Sequence, residues 1–448
     1  MSTISYLHEP RPEERPDGIS AYCQDLFALL PRSDQRHWGE VYLRGLLQAP
    51  GRKTPTRISE EVLGRKAVQP LQQFVNQSPW DHNELRRHMA ARMRTAAPPR
   101  AWAFDEVVFP KNGVHSVGVA RQFVASQGRV VNCQLALATS LVHADGGVPV
   151  NWQLLLPRHW DGDQELRDKA RIPAQERHRP RWRYVLESVD ELLERWDMPP
   201  APVLADWRHD PEVEPLLRGL EARGLGYLIE VAPTTRLHQQ LTRHESTGHA
   251  AQAAQLVHRF CNDGQRTAVA WRPHPDAGPR HTQFVAVELP AGPARGQVGP
   301  PQRTRPAVPP RVRPTRAEQP RRRPGARHLV AEWPFGRSQP RAYWVTNLSP
   351  HRLTELVALA ELRHHSHHGC ARLQQDFGLG DFEGRSFRGW HHHVTLASAA
   401  LAFHALRNCE AAPDGAETEP GGSRWTTGRS ASASSSARAA RVVSVPGG

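Results

Sequence analysis

AWAFDEVVF (101–109), HSVGVARQFVA (115–125), RVVNCQLALATSLV (129–142) and VPVNWQLLL (148–156) follow one another as short apolar runs separated by Gly, Asn or Asp. Their Val, Phe, Leu and Trp content and their punctuation predict strands. A charged segment, 163–198, then ends in RWRYVLESVDELLERWD (181–197), whose apolar residues recur at helical spacing. After it come APVLAD (201–206), PEVEPLLRGLEARG (211–224) and GLGYLIEVAP (224–233), which read as strand, helix and strand. Strands, a crossover helix, then alternating strand and helix predict a mixed α/β sheet.

Outward from this core the patterns change. Within 20–100, ISAYCQDLFALL, HWGEVYLRGLLQ, RISEEVLGRKAVQPLQQFVNQ and HNELRRHMAARMR each repeat apolar residues at three-to-four spacing, with breaks at Pro50-Gly51 and Ser78-Pro79. They predict a small helical bundle with Arg and Lys on its outer faces; a groove-reading surface and a merely solvated one both fit. Downstream, TAVAW and TQFVAVEL look like strands within a mixed stretch, 232–290. Residues 291–328 hold ten Arg, nine Pro and one acidic residue, a composition that predicts an extended, disordered segment. HLVAEWPF and RAYWVTNL restore strand character. A long helix is predicted from about Leu353 to Phe377 and another from about His391 to Leu406, before a low-complexity, disordered tail over 408–448.

The chain has 448 residues, which predicts roughly two to three domains. Its 38% hydrophobic residues and 13 Trp suffice for a core. No apolar run approaches the roughly 18 residues of a membrane span, and the first residues lack the order of a secretory signal. Five scattered cysteines (23, 133, 261, 370, 409), never in CxxC spacing, suggest a reducing cytoplasm rather than a disulfide or zinc framework. With 58 basic and 45 acidic residues the net charge is +13, which points to a polyanion such as nucleic acid. Residues 291–328 alone supply +9 of it, however, and only four of the cations are Lys.

Two acidic positions stand where chemistry could use them. Asp105-Glu106 ends the first strand of the α/β region, and Asp206 ends the strand APVLAD. Residues at the carboxyl ends of such strands face the crevice where α/β folds bind ligands. In a ribonuclease-H-like sheet the first and fourth strands are neighbours, so these ends would converge. Two carboxylates there could hold Mg²⁺ for in-line attack on a phosphodiester. An Asp after an apolar strand is also a common turn former.

At this point FDEVVFPKNGVHSVGVARQF (104–123), RVVNCQLALATSLV (129–142) and FGLGDFEGRSFRGWHHHVTL (377–396) make the chain recognisable. They resemble bacterial insertion-sequence transposases of the DDE type, most closely the IS-seven-oh-one-type branch, related to the IS-four group. VYLRGLLQAPGRK (41–53) and LQQFVNQSPWD (71–81) resemble that branch's N-terminal region. The resemblance runs colinearly from about residue 20 to 405, interrupted chiefly by 291–328.

The resemblance implies a ribonuclease-H-like core over 101–231 and 351–407. A helical DNA-binding region would occupy 20–100, and a β-rich insertion 232–350. It implies Mg²⁺ or Mn²⁺ held by Asp105 or Glu106 together with Asp206, and cleavage and strand transfer at the element's terminal inverted repeats. The implied partners are those repeats and target DNA, with no membrane; a homodimer is one form the complex could take. Which of Asp105 and Glu106 is catalytic stays open, because the family's Asp-Asp-Thr is Asp-Glu-Val here. The turn WRHD after Asp206 also departs from the small, Gly-containing turn usual there.

The third site departs further. Arg363 takes the family's Arg position, but His367 stands where the catalytic Glu belongs, Ala360 where the Tyr does and Gln374 where the Lys does. Arg363 and His367 are four apart and share a helix face. An imidazole is a poor Mg²⁺ ligand. The expectation is therefore a weakly active or inactive copy, with a non-catalytic, transposase-derived DNA-binding protein or repressor as the alternative. HHSHHGC (364–370) offers one four-apart histidine pair and no further nameable ligand, so a transition-metal site there is disfavoured. Trp390–His393 reads as a helix start with capping and DNA-facing histidines.

Overall fold

The protein is described from a computed structural model covering residues 18–238, 250–261, 266–271, 278, 280–289 and 326–411. Five helices come first: α1 (Gly18–Phe27), α2 (Ser33–Gln48), α3 (Pro55–Leu63), α4 (Val68–Asn76) and α5 (His82–Ala96). Their limits follow from local chemistry. Thr54 caps α3 by accepting from the Arg57 N–H, Pro55 opens it, and Gly64 closes it at φ +64°. Asp81 caps α5 through the Asn83 N–H.

The sheet begins with β1 (Ala101–Pro110), β2 (Ala120–Val124), β3 (Arg129–Val142) and β4 (Gly147–Leu155). Short helices α6 (His159–Gly162) and α7 (Gln164–Ala170) lead to α8 (Arg181–Asp190). β5 (Val203–Asp206), α9 (Val213–Ala222) and β6 (Tyr227–Val231) complete this half. β3 runs antiparallel to both β1 and β4, whereas β1, β5 and β6 are mutually parallel neighbours. The spatial order β4-β3-β1-β5-β6 is that of a ribonuclease-H-like sheet, and it makes the first and fourth strands of the core adjacent.

A two-stranded ribbon, β7 (Arg236–His238) with β8 (Ala250–Gln252), and the helix α10 (Ala253–Phe260) follow. β9 (Thr267–Trp271), β10 (Arg280–Leu289), β11 (Arg327–Trp333) and β12 (Ala342–Thr346) then extend the same sheet, because β12 pairs antiparallel with β6. The strands of the expected insertion thus prolong the core sheet. Of 291–328, residues 291–325 lie outside the described ones, while Arg327 and His328 begin β11.

The expected long helix is divided at Leu362 into α11 (Leu353–Glu361) and α12 (Arg363–Gln375). The last helix, α13 (Phe387–Ala411), starts before and ends after its expected limits, running past Arg407.

β1 is buried on both faces. Trp102 and Phe104 point one way, and Ala101, Ala103 and Asp105 the other. α12 lies very close to β4. A Cβ on Gly369 would stand 2.2 Å from the Gly147 carbonyl oxygen, so only glycine lets the two backbones meet.

α13 packs against β4 and against α2, α4 and α5, and its histidines stitch the parts together. His391, His392 and His393 are buried rather than DNA-facing, which corrects the sequence expectation. Burial pushes His392 down to about 3 and His393 to about 4. The neutral His393 ring accepts from the Tyr42 hydroxyl at 3.0 Å and donates to Gly378 O at 3.0 Å. His392 lies between the carbonyls of Val75 and Trp80, stacked on the Trp80 ring. The buried Arg86 joins α5 to the Thr395 hydroxyl, Asn151 Oδ1 and the Trp152 carbonyl at 2.7 to 3.0 Å.

Candidate active site

The parallel register pairs Phe104 with Ala205 and Asp206 with Glu230. Asp105 follows Phe104, so Asp105, Asp206 and Glu230 form one row across β1, β5 and β6. Asp105 is 4% exposed, and its Oδ2 takes no hydrogen bond among the described residues. Glu106, the next residue, points to the opposite face of β1, where it lies near enough to Cys133 of β3 to raise that thiol.

Helix α12 brings two side chains over this row. The Arg363 Nη2 lies 3.2 Å from Asp105 Oδ1 and 3.7 Å from Asp206 Oδ2, and its Nη1 donates to Glu230 Oε2 at 3.0 Å. His367, one turn on, places Nε2 2.8 Å from Asp105 Oδ1 and 2.9 Å from Arg363 Nη2. A single nitrogen cannot donate to the carboxylate and accept from the guanidinium at once. A second arginine comes from the unusual turn after β5: Arg208 folds back on Asp206 with 2.6 Å between Nη2 and Oδ2, and its Nε lies 3.2 Å from Glu230 Oε1.

These contacts separate the three acids electrostatically. Burial favours the protonated form of Asp105, but His367 and Arg363 outweigh it and hold the carboxyl below the ordinary range. Asp206 is half-buried, yet the hydrogen bond from Arg208 and the charge of Arg363 bring it to about 2 against that desolvation. Glu230 is raised, by burial and by the neighbouring Asp206 charge, against the pull of Arg363 and Arg208.

His367 is the more exposed member, with 54% of its side chain accessible, and it borders two clefts. One, of about 490 Å³, runs past Asp105, Pro110, Gln374 and Gly380. The other, of about 450 Å³, is lined by Arg208, Glu230, Trp271 and Arg363. Beyond Pro110 and Gly380 the first cleft adjoins a smaller basic pocket holding Arg52, Lys111, His115 and Arg385 with Glu383. Gln374 is spent on the Val108 carbonyl, 3.3 Å away. Asp381 accepts from the Lys53 N–H, and Asp376 pairs with Arg372, so neither reaches the row. Among the described residues no three of His, Cys, Asp and Glu, the 364–370 run included, lie close enough to share one metal ion.

The structure therefore brings together four of the sequence candidates, Asp105, Asp206, Arg363 and His367, with Asp105 within β1 rather than at its end. Glu106 lies off the row of acids but borders the first cleft with Asp105 and His367. Sequence reasoning missed Glu230 and Arg208. The signal for Glu230 was a charged residue inside the apolar run YLIEV; for Arg208 it was the departure from a Gly-containing turn.

A family model described as DDE superfamily endonuclease matches residues 25–273. The chain belongs to the DDE superfamily endonucleases. The match spans Asp105, Asp206 and Glu230 and stops before α12. Among curated proteins none matches the chain. For a DDE endonuclease DNA is the implied substrate and a divalent metal the usual cofactor. No helix of the described residues is long and apolar enough to cross a membrane.

Proposed function

We propose that this endonuclease is an insertion-sequence transposase of the IS-seven-oh-one type. It would cut DNA strands at the element's terminal inverted repeats and join the freed 3′-hydroxyl to target DNA. One observation carries the reading: carboxylates from three neighbouring strands converge on a single cation, the Arg363 guanidinium, at the rim of open clefts.

The donors suit the implied metal. Asp105 and Asp206 are hard oxygen ligands held ionised, and Asp105 Oδ2 is buried without a donor. They would hold Mg²⁺ or Mn²⁺, which supplies charge stabilisation for phosphodiester displacement. Arg208 fixes the Asp206 carboxylate rotamer, and α12 covers Asp105 from water. The basic pocket of Arg52, Lys111 and Arg385 would take backbone phosphates of a strand leaving the first cleft.

The reading is tested with DNA carrying the sequences that flank the reading frame. Mg²⁺- or Mn²⁺-dependent strand breaks lost in Asp206→Asn support it; breaks that persist in that variant contradict it. A second reading, a DNA-binding remnant without catalysis, is favoured by the pairing of Asp105 with both His367 and Arg363. Binding of the same DNA with no metal-dependent cutting would select it.

A further inference from the structure

The family's third acid is expected on α12, where this chain has His367. We infer that the third carboxylate is supplied instead by Glu230 of β6, and that Arg363 and a divalent ion compete for the same three carboxylates. The inference rests on the metal-dependent reading above.

Three observations carry it. Glu230 is the register partner of Asp206, so it joins the row of Asp105 and Asp206 without any rearrangement of backbone. One guanidinium, that of Arg363, touches all three carboxylates at 3.0 to 3.7 Å, so they already converge on one cation. The charge count also needs Glu230. Asp105 and Asp206 against Arg363 and Arg208 sum to zero, which exerts no net pull on a divalent ion; Glu230 makes the cluster net negative. Of the other acids, Asp376 holds Arg372 and Asp381 holds the Lys53 N–H, while Glu106 borders the first cleft but lies off the row.

The competition follows from size. The guanidinium spreads its two terminal nitrogens between the carboxylates, whereas Mg²⁺ draws oxygens to about 2.1 Å. The three acids are too far apart to share an ion while Arg363 stands between them, consistent with the spacing seen. Replacement of the guanidinium by the ion lets them close.

Mn²⁺ binding, followed by electron paramagnetic resonance on the full chain, tests this apart from cleavage. Glu230→Gln should weaken Mn²⁺ binding at least tenfold, and Arg363→Gln should tighten it. Glu230 could instead act only by holding Arg363, so the double variant decides. Loss of Glu230 in the Arg363→Gln background should still cost at least tenfold. No effect there would overturn the ligand role, and this comparison also serves if Glu230→Gln alone does not fold. Weaker or unchanged binding in Arg363→Gln would overturn the competition. Wild-type binding that Asp206→Asn abolishes but both Glu230→Gln variants retain sinks this inference alone. An absence of Mn²⁺ binding by the wild type sinks the metal-dependent reading with it.

Discussion

Arg208 illustrates how one residue sets the electrostatics of the row. Its backbone N–H, Nε and Nη2 all donate to the Asp206 carboxylate, at 2.6 to 3.0 Å. Without the guanidinium Asp206 keeps Arg363 and the backbone N–H of residue 208 but loses its side-chain hydrogen bonds. In Arg208→Ala, the Asp206 carboxyl should titrate above the present value of about 2, toward the ordinary ~3.9. Carboxyl-carbon NMR reads this directly, and an unmoved titration would show that Arg363 suffices. His367 has a different role. Its Nε2 lies 2.8 Å from Asp105 Oδ1, at the exposed side of the row. Asp105, Asp206, Arg363 and His367 were legible in the sequence because motif spacing marks them. Glu230 was not, because its significance depends on which strand lies beside β5.

At the scale of elements, α12 is placed by glycine. The approach of Gly369 to the Gly147 carbonyl leaves no room for a methyl group. Gly369→Ala should lower stability by about 1–3 kcal/mol as α12 is pushed off β4. It should also weaken Mn²⁺ binding, since Arg363 and His367 ride on that helix. Urea denaturation and metal titration check the pair, and a loss of stability without any change in metal binding would separate α12 from the site.

The histidines of α13, with His82 of α5 stacked on them, make a pH prediction. His82, His391, His392 and His393 all have pKa values depressed chiefly by burial. The unfolded chain takes up protons near 6.5 while the folded one does not, so stability falls as pH drops below about 6.5. One unit below, each histidine costs up to about 1.4 kcal/mol. Thermal denaturation at pH 7.0 and 5.5 should show the loss, and His392→Gln should reduce the difference. The sequence put these residues at a helix start but not in the interior; their burial is decided by packing on the N-terminal helices, which local pattern does not reveal.

For the whole molecule, a mixed α/β sheet was readable from the alternation of strands and helices, whereas the strand beside β5 was not. The extension by β9 to β12 was not, because strand content alone does not say which edge a later strand joins. That edge is β6, which places Trp271 and Glu332 at the cleft beside Glu230. The net charge of +13 is also a whole-molecule property, and residues 291–328 hold most of it. If that segment is a phosphate-binding arm, its removal over 291–325 should flatten the salt dependence of DNA binding. Each phosphate contact contributes about −0.9 to the slope of log K against log[salt]. An unchanged slope assigns non-specific affinity to the folded surface, where Arg52, Lys111 and Arg385 flank the first cleft.

The central claim, a metal-dependent DNA-cutting site built on neighbouring strands of one sheet, is met most directly by one comparison. Plasmid DNA carrying the reading frame's flanking sequences is incubated with wild type or Asp206→Asn, in Mn²⁺ or in chelator. The account predicts strand breaks with wild type and Mn²⁺, and none with the variant or in chelator. Equal breakage by both proteins, breakage in chelator, or no breakage by the wild type would contradict it.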